Sequence, residues 1–131
     1  MKSYILYVLL LLMGAAGAGQ AKAQAAKDFK NTTPEQRAAA QTTWLKSKLS
    51  LDDAQTTKVA AINLKYAQQM DTVLKGGGSK LSMLRAAKKI NTQKEAEYKQ
   101  VFSESQYATY EKIKEDMKDA MKEKIKEKKQ S

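Results

Sequence analysis

The word LDDAQ at residues 51–55 is echoed by FSESQ at residues 102–106. Each runs apolar residue, short oxygen-bearing residue, two variable residues, glutamine. In a chain rich in helix-forming Ala, Lys, Gln and Glu, that pattern marks a helix start. The Asp52 carboxylate can accept a hydrogen bond from the backbone N–H of Gln55, and the Gln55 side chain can reach back to the N–H of Asp52. Two donors left orphaned at a helix N-terminus are then satisfied reciprocally. Asp53 adds negative charge at the positive end of the helix dipole. Ser103 and Gln106 can repeat the arrangement, with Leu51 and Phe102 just outside each helix to fix how the chain enters it. The two words therefore predict long helices with corners near residues 51 and 102.

The remaining boundaries agree. TPEQ at 33–36 opens an earlier helix, with Thr33 as cap, Pro34 at the first helical position and Gln36 closing the box. That helix is expected to run to about Lys48, with Trp44, Leu45 and Leu49 as its apolar contacts. From Asp53 to about Lys75, Val59, Ile62, Tyr66, Met70 and Val73 recur at spacings of three and four and form one apolar face. Leu64 is placed on the opposite side, beside Ala60 and Ala67. GGGS at 76–79 ends this helix. With no G-x-x-x-x-G-K-[ST] pattern and no strand before it, the glycine run reads as a turn and not as a phosphate loop.

A third helix over about Leu81–Val101 has a thin seam of Met83, Ala87, Ile90 and Val101, with Leu84 and Tyr98 alongside. It carries Lys80, Arg85, Lys88, Lys89 and Lys94, and no acid between residues 80 and 94. The fourth places Tyr110, Ile113, Met117, Ala120, Met121 and Ile125 on one face. An acidic column (Glu111, Glu115, Asp119, Glu123, Glu127) runs beside a lysine column (Lys114, Lys118, Lys122, Lys126), with pairs three apart such as Glu115 and Lys118. Lys124 and Lys128 fall on the apolar side, so packing is expected to stop near Ile125. No segment has a strand's alternation. The fold class is all-α, about four helices in bent hairpins.

The first residues read differently. A basic tip at Met1–Lys2, an apolar run from Tyr4 to Met13 and small residues in an A-x-A spacing describe a secretory signal peptide over residues 1–23, cut after Ala23 or, alternatively, before Gln20. The run is short of the about 20 residues a spanning helix needs, and no Cys follows it for a lipid, so no stable membrane anchor is expected. Residues 24–32 are expected to be a disordered linker, and residues 33–128 the helical domain. Loss of residues 1–23 takes Lys2 and Lys22 away and leaves 22 Lys and Arg against 14 Asp and Glu, a net charge of +8. Such a surface attracts acidic protein segments, anionic lipid or nucleic acid; export makes nucleic acid the least suitable of these.

The chain has no His and no Cys. Triads using His, Cys nucleophiles and ordinary zinc sites are excluded, and no Ser-x-x-Lys spacing occurs. The acids are interleaved with lysines and not paired in an apolar setting. The methionines could in principle hold copper, but Met70, Met83, Met117 and Met121 fall at core-like helical positions. No enzyme activity, cofactor or metal is expected.

An export signal, an all-helical body and two helix starts of this type resemble the Spy/CpxP family of periplasmic LTxxQ proteins, over roughly residues 33–120. Leu51-Asp52-Asp53-Ala54-Gln55 stands for the first motif with Asp for Thr. Phe102-Ser103-Glu104-Ser105-Gln106 stands for the second with Phe for Leu and Ser for Thr, and QYATYEK after it also looks like the family. The resemblance implies a thin cradle-like homodimer in the periplasm. It implies a protein that holds unfolded proteins without ATP or, alternatively, one that docks on a single partner such as an envelope-stress sensor; the lack of His counts against the family's metal-binding branch. Leu51, Asp52, Gln55, Phe102, Ser103 and Gln106 would be architectural. The basic third helix, with Arg85, Lys88 and Lys89, is the candidate surface for unfolded or acidic protein segments.

Overall fold

The computed structural model of the protein describes residues 31–130; the expected signal peptide and most of the expected linker lie outside them. Four helices follow in order: α1 (Pro34–Leu49), α2 (Asp53–Lys75), α3 (Lys80–Val101) and α4 (Glu104–Gln130). No strand occurs among the described residues. α1 packs along α2, α2 packs along α3, and α4 touches α1 and α3 more sparingly.

Each helix begins where the capping chemistry places it. Thr33 and Gln36 form a complete box at α1 (Gln36 N–H to Thr33 Oγ1, 3.1 Å; Thr33 N–H to Gln36 Oε1, 2.9 Å). α2 starts on Asp52, whose carboxylate accepts from Gln55 N–H at 2.7 Å. Ser79, the last residue of the GGGS turn, caps α3 by accepting from Ser82 N–H at 3.1 Å. Within that turn Gly77 takes φ +69°, a left-handed conformation that glycine adopts without steric cost.

The core is one seam. Leu45 and Leu49 of α1 meet Val59, Ile62, Tyr66 and Met70 of α2, then Ala87, Ile90 and Tyr98 of α3. Leu51, Phe102 and Tyr110 close its end at the two corners. A hydrogen-bonded row crosses it. The Thr42 hydroxyl donates to the Ala38 carbonyl at 2.8 Å, Asn63 Nδ2 donates to the Thr42 hydroxyl at 2.8 Å, and the Tyr98 hydroxyl donates to Asn63 Oδ1. These groups are buried, and each unmade bond would leave a desolvated polar atom costing about 1–3 kcal/mol. The row therefore fixes the axial register of three helices. At the other end of the α1–α2 hairpin, buried Arg37 reaches Asp71 at 3.1 Å and the Thr32 carbonyl at 2.6 Å. Asp71 also pairs with Lys75 at 2.9 Å. The Lys75 hydrogen bond, seconded by Arg37, holds the Asp71 carboxyl below the usual carboxylate range.

Four expectations are corrected. On α3 the buried positions are Leu84, Ala87, Ile90, Lys94 and Tyr98, while Met83 and Val101 are half-buried; the seam is rotated toward Leu84. Lys94, counted only as one of the cations of this helix, is inside the seam, whereas Lys80, Arg85, Lys88 and Lys89 are exposed. Ala67 is buried in the core and not on an outer side with Leu64 and Ala60. On α4, Lys114 is not confined to pairing along its own helix: it pairs with Glu95 of α3 as well as with Glu111, at 3.5 Å from the latter.

Candidate functional site

The two repeated words meet. Gln55 Nε2 donates to Gln106 Oε1 at 2.7 Å, and Gln106 Nε2 donates to Gln55 Oε1 at 3.3 Å. Each amide oxygen also accepts from the backbone N–H of its own cap, Asp52 at 3.1 Å and Ser103 at 2.9 Å. The second N–H of each amide goes to the last helical carbonyl of the opposite corner: Gln55 to Val101 at 3.1 Å, Gln106 to Leu49 at 3.2 Å. A primary amide has two donor hydrogens and two acceptor lone pairs, and here both glutamines use all four. Each one caps the start of its own helix and the end of a helix from the other corner. Only an amide can do this. A glutamate would retain the box but place a carboxylate against a carbonyl and a second acceptor.

Below this clasp lie the two apolar leaders, Leu51 and Phe102, both buried. Phe102 stacks on Tyr98 (centroids 5.1 Å apart, planes at 25°), and Tyr110 meets both edge-on at 5.5 and 6.0 Å. Offset-stacked and edge-to-face contacts suit the ring quadrupoles and add about 0.5–1.5 kcal/mol per pair beyond burial. Asp52 and Ser103 remain exposed at the rim. The six motif residues thus form one structural unit, as the sequence suggested of each word separately.

Lys94 lies against this aromatic cluster. Its side chain is wholly out of solvent, Nζ has no hydrogen-bond partner, and it stands 5.5 Å over the Tyr98 ring. Burial pushes the amine down to about 7; Glu95 works against that shift and Lys114 reinforces it. Burial likewise pushes the Tyr98 and Tyr110 hydroxyls well above their ordinary value. The register contained the signal for Lys94: it stands four residues from both Ile90 and Tyr98, squarely on the seam, and only its residue type argued for the surface.

The proposed contact residues Arg85, Lys88 and Lys89 are all exposed, on the part of α3 remote from the clasp. Twelve residues separate Lys89 from Val101, about 18 Å along a helix. Sequence reasoning overlooked their apolar neighbour. Leu81 is 45% exposed, the large exposed hydrophobic among the described residues. It precedes Arg85 by four residues and Lys88 by seven, so all three share one face. Farther along, Lys65 of α2 pairs with Glu97 at 2.7 Å.

Among the described residues no group of three or more acids is placed to hold a metal ion, and no helix is long and apolar enough to cross a membrane. No solved structure and no curated protein matched the chain. A family model does match, over residues 18–131, which include both corners and the clasp between them, and the chain belongs to that family, described as Domain of unknown function (DUF4890).

Proposed function

We propose that the mature chain is an exported, ATP-independent holding chaperone that binds unfolded or misfolded envelope proteins in the periplasm as a homodimer. The observation that carries this reading is the outer face of α3, where Leu81 offers an apolar foothold beside Arg85, Lys88 and Lys89. Long-range attraction to acidic segments speeds encounter. A small apolar contact then holds an exposed chain weakly enough to release it. The net charge of +8 after removal of residues 1–23 and the resemblance to the LTxxQ proteins support the same reading. No phosphate-binding loop is present in the sequence, so the activity runs on binding energy. A second copy would cover apolar side chains that one chain leaves half-buried, such as Met83 and Met117.

The test follows aggregation of two unrelated proteins by light scattering, with wild type and with Arg85, Lys88 and Lys89 all changed to Ala. Wild type is expected to suppress both. The triple variant should keep its helicity and capture clients more slowly. Raising salt from 0.1 M to 1 M, which shortens the screening length from about 10 Å to about 3 Å, should weaken wild type toward the variant. Protection of neither client rejects the chaperone and leaves the adaptor that docks on one partner. Equal protection by both forms rejects this face of α3 as the site.

A further inference from the structure

Lys94 has an environment that suits an amine and not an ammonium. Its Nζ is buried without a hydrogen-bond partner, facing the Tyr98 ring. The carboxylate beside it in sequence, Glu95, is already engaged by Lys114 of α4 and accepts from Asn91 Nδ2 at 3.1 Å. Other titratable groups of this cluster are Tyr98 on α3 and Tyr107, Tyr110 and Glu111 on α4, Glu111 pairing with Lys114; Tyr66 of α2 is also in the core, and Lys65 of α2 is tied to Glu97. A charge taken out of water without a partner is strongly disfavoured, whereas a neutral amine on an apolar stem is tolerated.

We infer that Lys94 makes the seating of α4 on α3 depend on pH: the closed junction takes the neutral amine, and proton uptake at Lys94 favours release of the first turns of α4. The seat is small. α4 is held by the Gln106 amide, the rings of Tyr107 and Tyr110, Ile113, and the Lys114–Glu95 pair. From Glu115 to Lys129 its side chains are half-buried or exposed. A segment with few buried contacts opens at lower free energy than the core does. Lys94 lies under that seat, because Tyr110 packs edge-on against the Tyr98 ring that Nζ faces. Releasing α4 uncovers the cluster and withdraws the positive charge of Lys114.

The direction follows from the two protonation states. Closed, the amine titrates at about 7; open, it returns toward its ordinary value of 10.5. Between those values the open form binds a proton that the closed form does not, so the closed form gains on the open one as pH rises, by about tenfold per pH unit. Below about 7 both forms are protonated and the ratio levels off. The composition isolates the effect. With no His and no Cys, the groups with ordinary values between about 7 and 9.5 reduce to the chain's terminal amine.

The test is amide exchange, read as protection factors for residues 105–114 between pH 7.0 and 9.5, in wild type and in Lys94→Met, which retains the stem and removes the charge. Protection in wild type should climb about tenfold per unit and stay below that of the α2 core; in Lys94→Met it should be high and flat. A flat wild type, an equal climb in the variant, or protection identical to that of α2 at every pH overturns the inference. An NMR titration of the Lys94 ε-carbon in wild type gives a reading that needs no variant. Its midpoint should fall well below those of the other lysines, and a midpoint near 10.5 overturns the inference.

Discussion

The corner at residues 50–55 and the corner at residues 102–106 share their capping chemistry and differ in the backbone that precedes it. α1 ends on Ser50, which takes φ 52° and ψ 51°, and both Ser50 N–H and Leu51 N–H return to the Lys46 carbonyl. That left-handed residue reverses the chain, so α2 runs back along α1. α3 ends on Phe102 with φ −79° and ψ 147°, an extended conformation, its N–H donating to the Tyr98 carbonyl at 2.8 Å. After this extended step α4 returns only far enough for Tyr110 to meet Tyr98 and Lys114 to pair with Glu95, and it contacts α3 far less than α2 contacts α1. One word therefore makes a hairpin and the other a joint. The joint compensates locally, with the Tyr98–Phe102–Tyr110 rings and the Lys114–Glu95 pair where the hairpin has a full interface.

The two apolar leaders should accordingly fail differently. Phe102→Ala removes a ring from the middle of the aromatic cluster and should cost about 3–5 kcal/mol, and Leu51→Ala about 2–5 kcal/mol. Urea denaturation gives both totals. The sharper reading is local: Phe102→Ala should strip exchange protection from the first turns of α4 ahead of the rest, whereas Leu51→Ala should lower protection throughout, because α2 is also held along its length. Equal, uniform losses would erase the distinction between hairpin and joint.

Next in size is the choice of amide over acid. Gln55→Glu preserves the capping box and removes both donors, those to Val101 and to Gln106. It should cost about 1–3 kcal/mol at neutral pH, measured as a fall in the denaturation midpoint. A variant as stable as wild type would mean that the clasp contributes nothing beyond the cap.

Smallest is the backbone itself. Ser50→Gly should stabilise by about 1 kcal/mol, because a non-glycine residue in the left-handed region costs about 1–2 kcal/mol. An unchanged or lower melting temperature would place the reversal elsewhere than in this residue.

The helix boundaries were legible because they are local. A cap, a box and a glycine turn act within four residues, so Thr33, Asp52 and the GGGS turn could be read one by one. The docking of Gln55 on Gln106 was not, although glutamine rather than glutamate at both third positions was its trace; a reciprocal pair 51 residues apart depends on how the helices stack. Lys94 was not recognised as a seam residue for the opposite reason. Its position obeyed the period of the seam, but residue type outweighed register, and lysine is almost never fully buried. The exposure of Arg85, Lys88 and Lys89 was legible, because these cations fall off the period of the seam.

That the two words form one clasp is tested most directly by a double-mutant cycle on Gln55→Ala and Gln106→Ala. Each single change breaks the reciprocal amide pair, so the second should cost less once the first is made. Denaturation of wild type, both singles and the double should give a coupling of about 1 kcal/mol, within the range of about 0.5–3 kcal/mol seen for residues in one hydrogen-bond network. Costs that add to within about 0.3 kcal/mol would contradict it and leave two independent caps that happen to lie side by side.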